Sequence, residues 1–186
     1  MDEHRTPLEV LTAEAARLAC CGLYVPVPAM PGRCTLRRFL EEILGLAPAY
    51  IDERVQTILL DGLAVDNLDA AIVRPGTRLA LSAAMPGVAG ATLRRGGHYA
   101  PMRRGITLME ESSAPSSETQ PPFWMELRCF NDIGREQGLN LLRHGVAVSP
   151  EFLTDAVRPL AAPLPTTLPP LPQSALVWLR QPPDNP

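Results

Sequence analysis

Apolar positions recur at helical spacing most clearly in the first third of the chain. Leu36, Phe39, Leu40, Ile43 and Leu44 fall at i, i+3, i+4, i+7 and i+8, which gathers them into one stripe. Thr35 precedes the stripe as an N-cap and Gly45 follows it as a stop, so the pattern predicts a helix from Thr35 to Leu46. Arg37/Glu41 and Arg38/Glu42 lie four apart on its polar side and can pair weakly. Pro7 to Leu18 reads as a shorter helix, with Thr6 as cap and Pro7 in its first turn.

Extended runs flank these helices. The stretch from Leu18 to Pro28 is apolar, partly β-branched and punctuated by glycine and proline; it predicts two short strands, with Pro26 and Pro28 at an edge or end. Val55 to Leu60 reads as a strand buried on both faces, Asp61-Gly62 as a tight turn, and Leu63 to Val65 as the return. Ala70 to Val73 is another extended piece, and Pro75-Gly76 a second turn. Thr77 to Ser82 alternates with Leu79 and Leu81 inward. Met85 to Gly90 leaves that strand as a glycine-bearing loop. One helix across one face of a mixed sheet is therefore expected, an α+β roll.

The second half is less regular. Ile106 to Met109 reads as a strand, residues 110–122 as a polar linker or long surface loop, and Phe123 to Phe130 as an alternating strand. Asn131 or Asp132 caps a helix running to His144, with Gly145 as its stop; Gly134 and Gly138 weaken it. Ser149-Pro150 opens a last short helix holding Phe152, Leu153, Ala156 and Val157. From Pro159 onward nine prolines fall in 28 residues, which predicts an extended or disordered tail. Ser174 to Arg180 is the exception: it reads as a strand added to a sheet edge, in cis or from a neighbouring chain, a route to a homo-oligomer. The chain thus divides into residues 1–105, a strand-helix-helix extension or small second lobe at 106–158, and a proline-rich tail at 159–186.

Composition narrows the chemistry. The 186 residues suffice for one domain or two small ones, and the 5% aromatic content leaves the core to aliphatic side chains. All 17 basic residues are arginine, which excludes Schiff-base lysines and a P-loop lysine. The four cysteines (Cys20, Cys21, Cys34 and Cys129) form no C-x-x-C and fit no zinc spacing. Reduced thiols in a cytoplasmic protein are the expectation; a bridge from Cys20 or Cys21 to Cys34 stays open. No signal-type apolar segment precedes Cys20 and no run reaches the length of a membrane span. No metal or cofactor is expected, and no catalytic residue is assigned.

Three pieces after Val55 carry a family likeness. They are Leu60-Asp61-Gly62 with Val65, Val73-Arg-Pro-Gly76-Thr-Arg-Leu79-Ala-Leu81, and Ala84-Met-Pro-Gly-Val-Ala-Gly90. Together with the preceding helix, residues 18–91 resemble the ThiS/MoaD sulfur carriers. The resemblance implies a β-grasp (ubiquitin-like) roll, here with a C-terminal α+β extension, and a protein partner of the adenylating or sulfur-transfer kind. It also implies a diglycine tail whose terminal carboxylate is adenylated. This chain departs there: the aligned pair is Gly90-Ala91 and 95 residues follow. A second pair, Gly96-Gly97 after Arg94-Arg95, would serve only if the chain were processed near Gly97, or else near Gly90.

Charge supplies the candidate site. No acid occurs between Asp69 and Glu110, while Arg74, Arg78, Arg94, Arg95, Arg103 and Arg104 fall in that span with His98 and Tyr99. Glycines sit among them. Arginine forks and exposed backbone N–H groups suit phosphates and carboxylates. An anion or acidic-partner site is therefore expected at Met85 to Arg104, made of Gly90, Arg94, Arg95, Gly96, Gly97, His98, Tyr99, Arg103 and Arg104. Tyr99 is the one stacking side chain there, thin support for nucleic acid. The leading expectation is a non-catalytic binding or adaptor protein; the alternative is a divergent or precursor sulfur carrier.

Overall fold

The computed structural model describes residues 7–108 and 118–181. They form a mixed α/β fold. Helix α1 (Pro7–Cys21) runs further than its predicted end at Leu18, because Leu11, Ala15 and Leu18 continue one inward face. Gly22 stops it at φ +124°, giving its N–H to the Leu18 carbonyl at 3.1 Å. The run from Leu18 to Pro28 therefore yields the end of a helix and one strand, β1 (Leu23–Val27), instead of two strands.

The chain continues through β2 (Met30–Pro31) into α2 (Leu36–Arg38), which widens into a π-helical turn over Phe39–Ile43. Thr35 caps α2 as expected, its hydroxyl accepting from the Arg38 N–H at 3.3 Å. Leu36, Phe39, Leu40 and Leu44 are fully buried against the sheet. Then follow α3 (Pro48–Glu53), β3 (Thr57–Leu60), β4 (Leu63–Ala64), β5 (Arg78–Ser82), α4 (Gly87–Leu93) and a 3-10 segment (Ala100–Ile106). The second half supplies β6 (Thr119–Gln120), β7 (Phe123–Phe130), α5 (Asn131–His144), β8 (Val146–Val148) and β9 (Val177–Leu179).

Seven strands make one sheet in the order β4-β3-β5-β7-β1-β8-β9, and β2 pairs with β6 apart from it. Within the large sheet only β5 and β7 run parallel; the other neighbours are antiparallel. β7 sits between them all: Leu127 faces Leu79 on one side and Leu23 on the other. The stretch after residue 106 thus enters the middle of the sheet. Phe123, Met125, Leu127 and Cys129 join Leu23, Val25, Ile58, Leu79 and Leu81 in one core with α1, α2 and α5.

Gly134 and Gly138, read as helix weakeners, are contact points. A Cβ on Gly138 would lie 2.7 Å from the Ala15 carbonyl, and one on Gly134 2.7 Å from the Cys129 carbonyl. Their absent side chains let α5 lie directly on α1 and β7.

Several expectations are corrected. Ser149-Pro150 opens only a 3-10 turn over Pro150–Phe152. Ala70 to Val73 makes a single bridge, Ile72 to Thr35. Ile106 closes the 3-10 segment; Thr107 bridges Ala64, and Met109 lies outside the described residues. The proline-rich stretch, as far as Gln181, is an ordered strap over the sheet's other face. Trp124 Nε1 donates to the carbonyls of Pro169 and Pro170 at 3.2 and 2.9 Å, and Trp124 meets Trp178 edge-on at 6.0 Å. β9 pairs with β8 on one side. On the other, Ala161 bridges Leu179 and the Ala162 N–H reaches the Trp178 carbonyl at 3.1 Å. The strand is therefore added in cis, with Ala161 and Ala162 covering part of its outer edge. No helix among the described residues is long and apolar enough to cross a membrane.

Candidate functional site

The excursion between β5 and the end of the 3-10 segment carries every candidate residue. Met85 to Gly90 was expected as a loop; from Gly87 it is helical instead. Pro86 stands at the N-cap with extended backbone, and Gly87 at φ +80° makes the turn into α4. Gly90 is buried, and a Cβ there would lie 1.9 Å from the Met85 carbonyl oxygen. Only glycine lets this helix fold back on the chain that enters it. Gly96 at φ +60° and the Gly97 N–H, bonded to the Arg94 carbonyl at 3.1 Å, turn the chain again after α4.

A single carboxylate fastens this excursion. Asp66, just after β4, accepts the Gly96 N–H at 3.0 Å and Nη2 of Arg103 at 2.6 Å. Arg103 is only 4% exposed and spends its other donors on the Thr92 carbonyl (Nε, 2.8 Å) and the Thr107 hydroxyl (Nη1, 2.9 Å). Burial pushes the Asp66 carboxyl up, but the Arg103 and Gly96 hydrogen bonds and the nearby guanidinium charges outweigh it and hold the group below its ordinary value. Arg95 is also committed. Its Nη2 bonds the Ile51 carbonyl and Asp52 Oδ1, both at 3.1 Å, while its backbone N–H reaches the Gln56 carbonyl at 2.7 Å.

The basic cluster is therefore divided. Arg95 and Arg103 hold the excursion to the body, with acids from the preceding half of the chain as counter-ions. Arg94 is exposed, and its guanidinium has no hydrogen bond or ion pair among the described residues. Arg104 is carried on the 3-10 segment. His98 and Tyr99 are exposed and stack edge-on at 5.1 Å. The same excursion carries exposed apolar side chains: Val88 is 79% exposed and Met102 74%, with Ile106 at 47%.

Beneath α4 lies a small pocket of about 170 Å³, lined by Gln56 and Thr57 at the head of β3 and by Ala84, Gly87, Ala91 and Arg94. Thr57 is 2% exposed and its hydroxyl has no hydrogen-bond partner among the described residues. Neither Thr57 nor Asp66 was singled out from sequence. A threonine in a strand and an acid after a hairpin carry no signal until their neighbours are known.

All four cysteines are free, so the bridge left open by the sequence is not formed. Burial pushes Cys34 up to about 11 and Cys129 up to about 12, leaving both as thiols at neutral pH. Cys20 donates to the Cys129 carbonyl at 3.0 Å. Among the described residues no group of three His, Cys, Asp or Glu side chains could hold a metal ion. In comparison with known proteins, no family model, no curated protein and no solved structure matches this chain.

Proposed function

We propose that this protein is a β-grasp binding module whose excursion at 83–108 docks a protein partner through an anionic group. The strand order supports the fold half of this reading. A β-grasp sheet has two parallel inner strands, an antiparallel neighbour on each side, and one helix across a face. The run β4-β3-β5-β7-β1, with β5 parallel to β7 and α2 across the face, has that plan. Its central first strand comes from β7, late in the chain, so the roll is circularly permuted relative to a ThiS/MoaD carrier.

One observation carries the functional half. The segment that in a carrier would be a free reactive tail is here a fixed helix, pinned through Asp66, Gly96 and Arg103. It presents an arginine without a side-chain partner among the described residues and exposed apolar side chains, as a docking surface does. The carrier alternative fits less well. Cleavage after Gly97 or near Gly90 would cut the covalent path from β5 to β7, its parallel partner at the centre of the sheet.

The test is capture from the native host with the full chain and its Arg94→Glu variant over a salt series. Arg94→Glu should lose the partner that the wild type retains, and that retention should fall steeply with salt. A partner held equally by both proteins would refute the reading. Intact mass of the native protein separates the carrier alternative, since a form ending at glycine would fall well below 20.2 kDa.

A further inference from the structure

The face of the sheet away from the main core carries an apolar cluster of its own. Trp124, Ala147 and Trp178 line it, and Leu164, Leu168 and Leu171 of the strap close over them. Side chains tie the strap down. Trp124 Nε1 donates to two successive carbonyls, those of Pro169 and Pro170, at 3.2 and 2.9 Å, and Gln173 Nε2 donates to the Tyr24 hydroxyl at 3.2 Å. Between 163 and 172 the one backbone–backbone bond among the described residues is internal, from the Leu168 N–H to the Pro165 carbonyl at 3.0 Å. The two ends are held separately: the Ala162 N–H reaches the Trp178 carbonyl at 3.1 Å, and Leu176 leads into β9, which is paired to β8.

We infer that this aromatic face is a receptor for proline-rich segments of a partner protein, and that the chain's own strap occupies it as a hinged lid. The occupant shows what the face selects. Pro169, Pro170 and Pro172 have their φ set by the ring, and Pro169 and Leu171 each precede a proline, which keeps them extended. Such a stretch is polyproline II, with three residues per turn and no internal hydrogen bonds. Leu168 and Leu171, three apart, fall on one side and pack against the aromatic cluster, while Pro170 and Pro172 stay exposed. The carbonyls of such a stretch are free to accept, and the Trp124 indole N–H is the donor that meets them. An aromatic-lined surface reading a polyproline segment is a recurring mode of peptide recognition, here carried out within one chain. The same chemistry takes an equivalent segment in trans.

Little of the fold depends on the lid. Its prolines have no N–H to give to a sheet, and its cluster is distinct from the main core. Lifting it breaks the Trp124 and Gln173 hydrogen bonds and uncovers half-buried leucines, while the β8–β9 ladder is left in place. Openings of this kind lie well below global unfolding in free energy. A tethered strap competes for its own seat at an effective concentration on the order of millimolar, so a free segment gains the face only against that competition. The strap thus sets a threshold for the partner.

The experiment is NMR titration of the isotope-labelled full chain with a synthetic peptide of residues 163–175, and with the same peptide carrying Pro169→Ala, Pro170→Ala and Pro172→Ala. Before peptide is added, the Trp124 indole N–H should exchange with solvent at least about tenfold faster than the amides of β7, because only the lid covers it. The strap peptide should shift that indole resonance weakly in the wild type. It should bind at least about tenfold more tightly to Leu168→Ser/Leu171→Ser, whose own strap is a poorer competitor. The alanine peptide should bind neither. Trp124→Phe loosens the strap but removes the donor, so the peptide response, followed at the Trp178 indole, should be lost. Unshifted β5 and β7 amides report that each variant stays folded. Indole exchange as slow as that of the β7 amides, equal binding of the two peptides, no response by wild type and strap variant alike, or full binding by Trp124→Phe would each overturn the proposal. Dimerisation of the full chain that rises with concentration and blocks the peptide would make a second copy's strap the occupant and overturn the assignment to a partner.

Discussion

Asp66 and Arg103 lie 37 positions apart in sequence and 2.6 Å apart in space, and the excursion at 83–108 is held in place through them. The guanidinium is buried while the carboxylate is partly exposed, so the pair keeps much of its strength without leaving either charge stranded. Asp66→Asn should cost about 2 kcal/mol, the range of hydrogen bonds to charged groups. Urea unfolding would measure it. Arg94→Glu, at a side chain without partners among the described residues, should leave the midpoint unchanged.

The same pair gives a pH dependence. The folded Asp66 carboxyl is held below its ordinary value, so its contribution is fully present above the unfolded value and is lost as pH falls through the folded one. Stability of the wild type should drop below about pH 4. Asp66→Asn should show a shallower loss there, and equal slopes would disprove the assignment.

Gly90 should be irreplaceable locally and dispensable globally. Gly90→Ala forces a Cβ into the Met85 carbonyl, so α4 must unseat. Hydrogen exchange should accelerate at the Arg94 amide, which bonds the Gly90 carbonyl. Amides of β5 and β7 should keep their protection.

Burial predicts the order of thiol labelling. At pH 8 an alkylating reagent should reach Cys20 and Cys21 in the native chain, and Cys34 and Cys129 only on unfolding. The raised folded values also mean that these two thiols favour the folded state below about pH 9, and that the benefit fades as pH rises through about 11 for Cys34 and about 12 for Cys129.

The strap should loosen without its anchor. Trp124→Phe removes the donor to Pro169 and Pro170 and should cost about 1 kcal/mol. Trp178, which meets Trp124 edge-on, would report the change in its fluorescence.

Local pattern alone determined much of this protein. The stripe from Leu36 to Leu44, its Thr35 cap and the alternation in β5 and β7 depend on neighbours within a few residues, so they are written in sequence order. The concentration of arginine and glycine at 85–104 is likewise written in the local sequence. Tertiary structure decided the rest. Sequence could not place β7 between β5 and β1, because pairing partners far apart in sequence leave no local trace. It could not turn Met85 to Gly90 into a helix, since that depends on a seat that only Gly90 fits. Nor could it tell the structural Arg95 and Arg103 from the exposed Arg94: all three are the same residue type, and only the fold brings Asp52 and Asp66 to the first two.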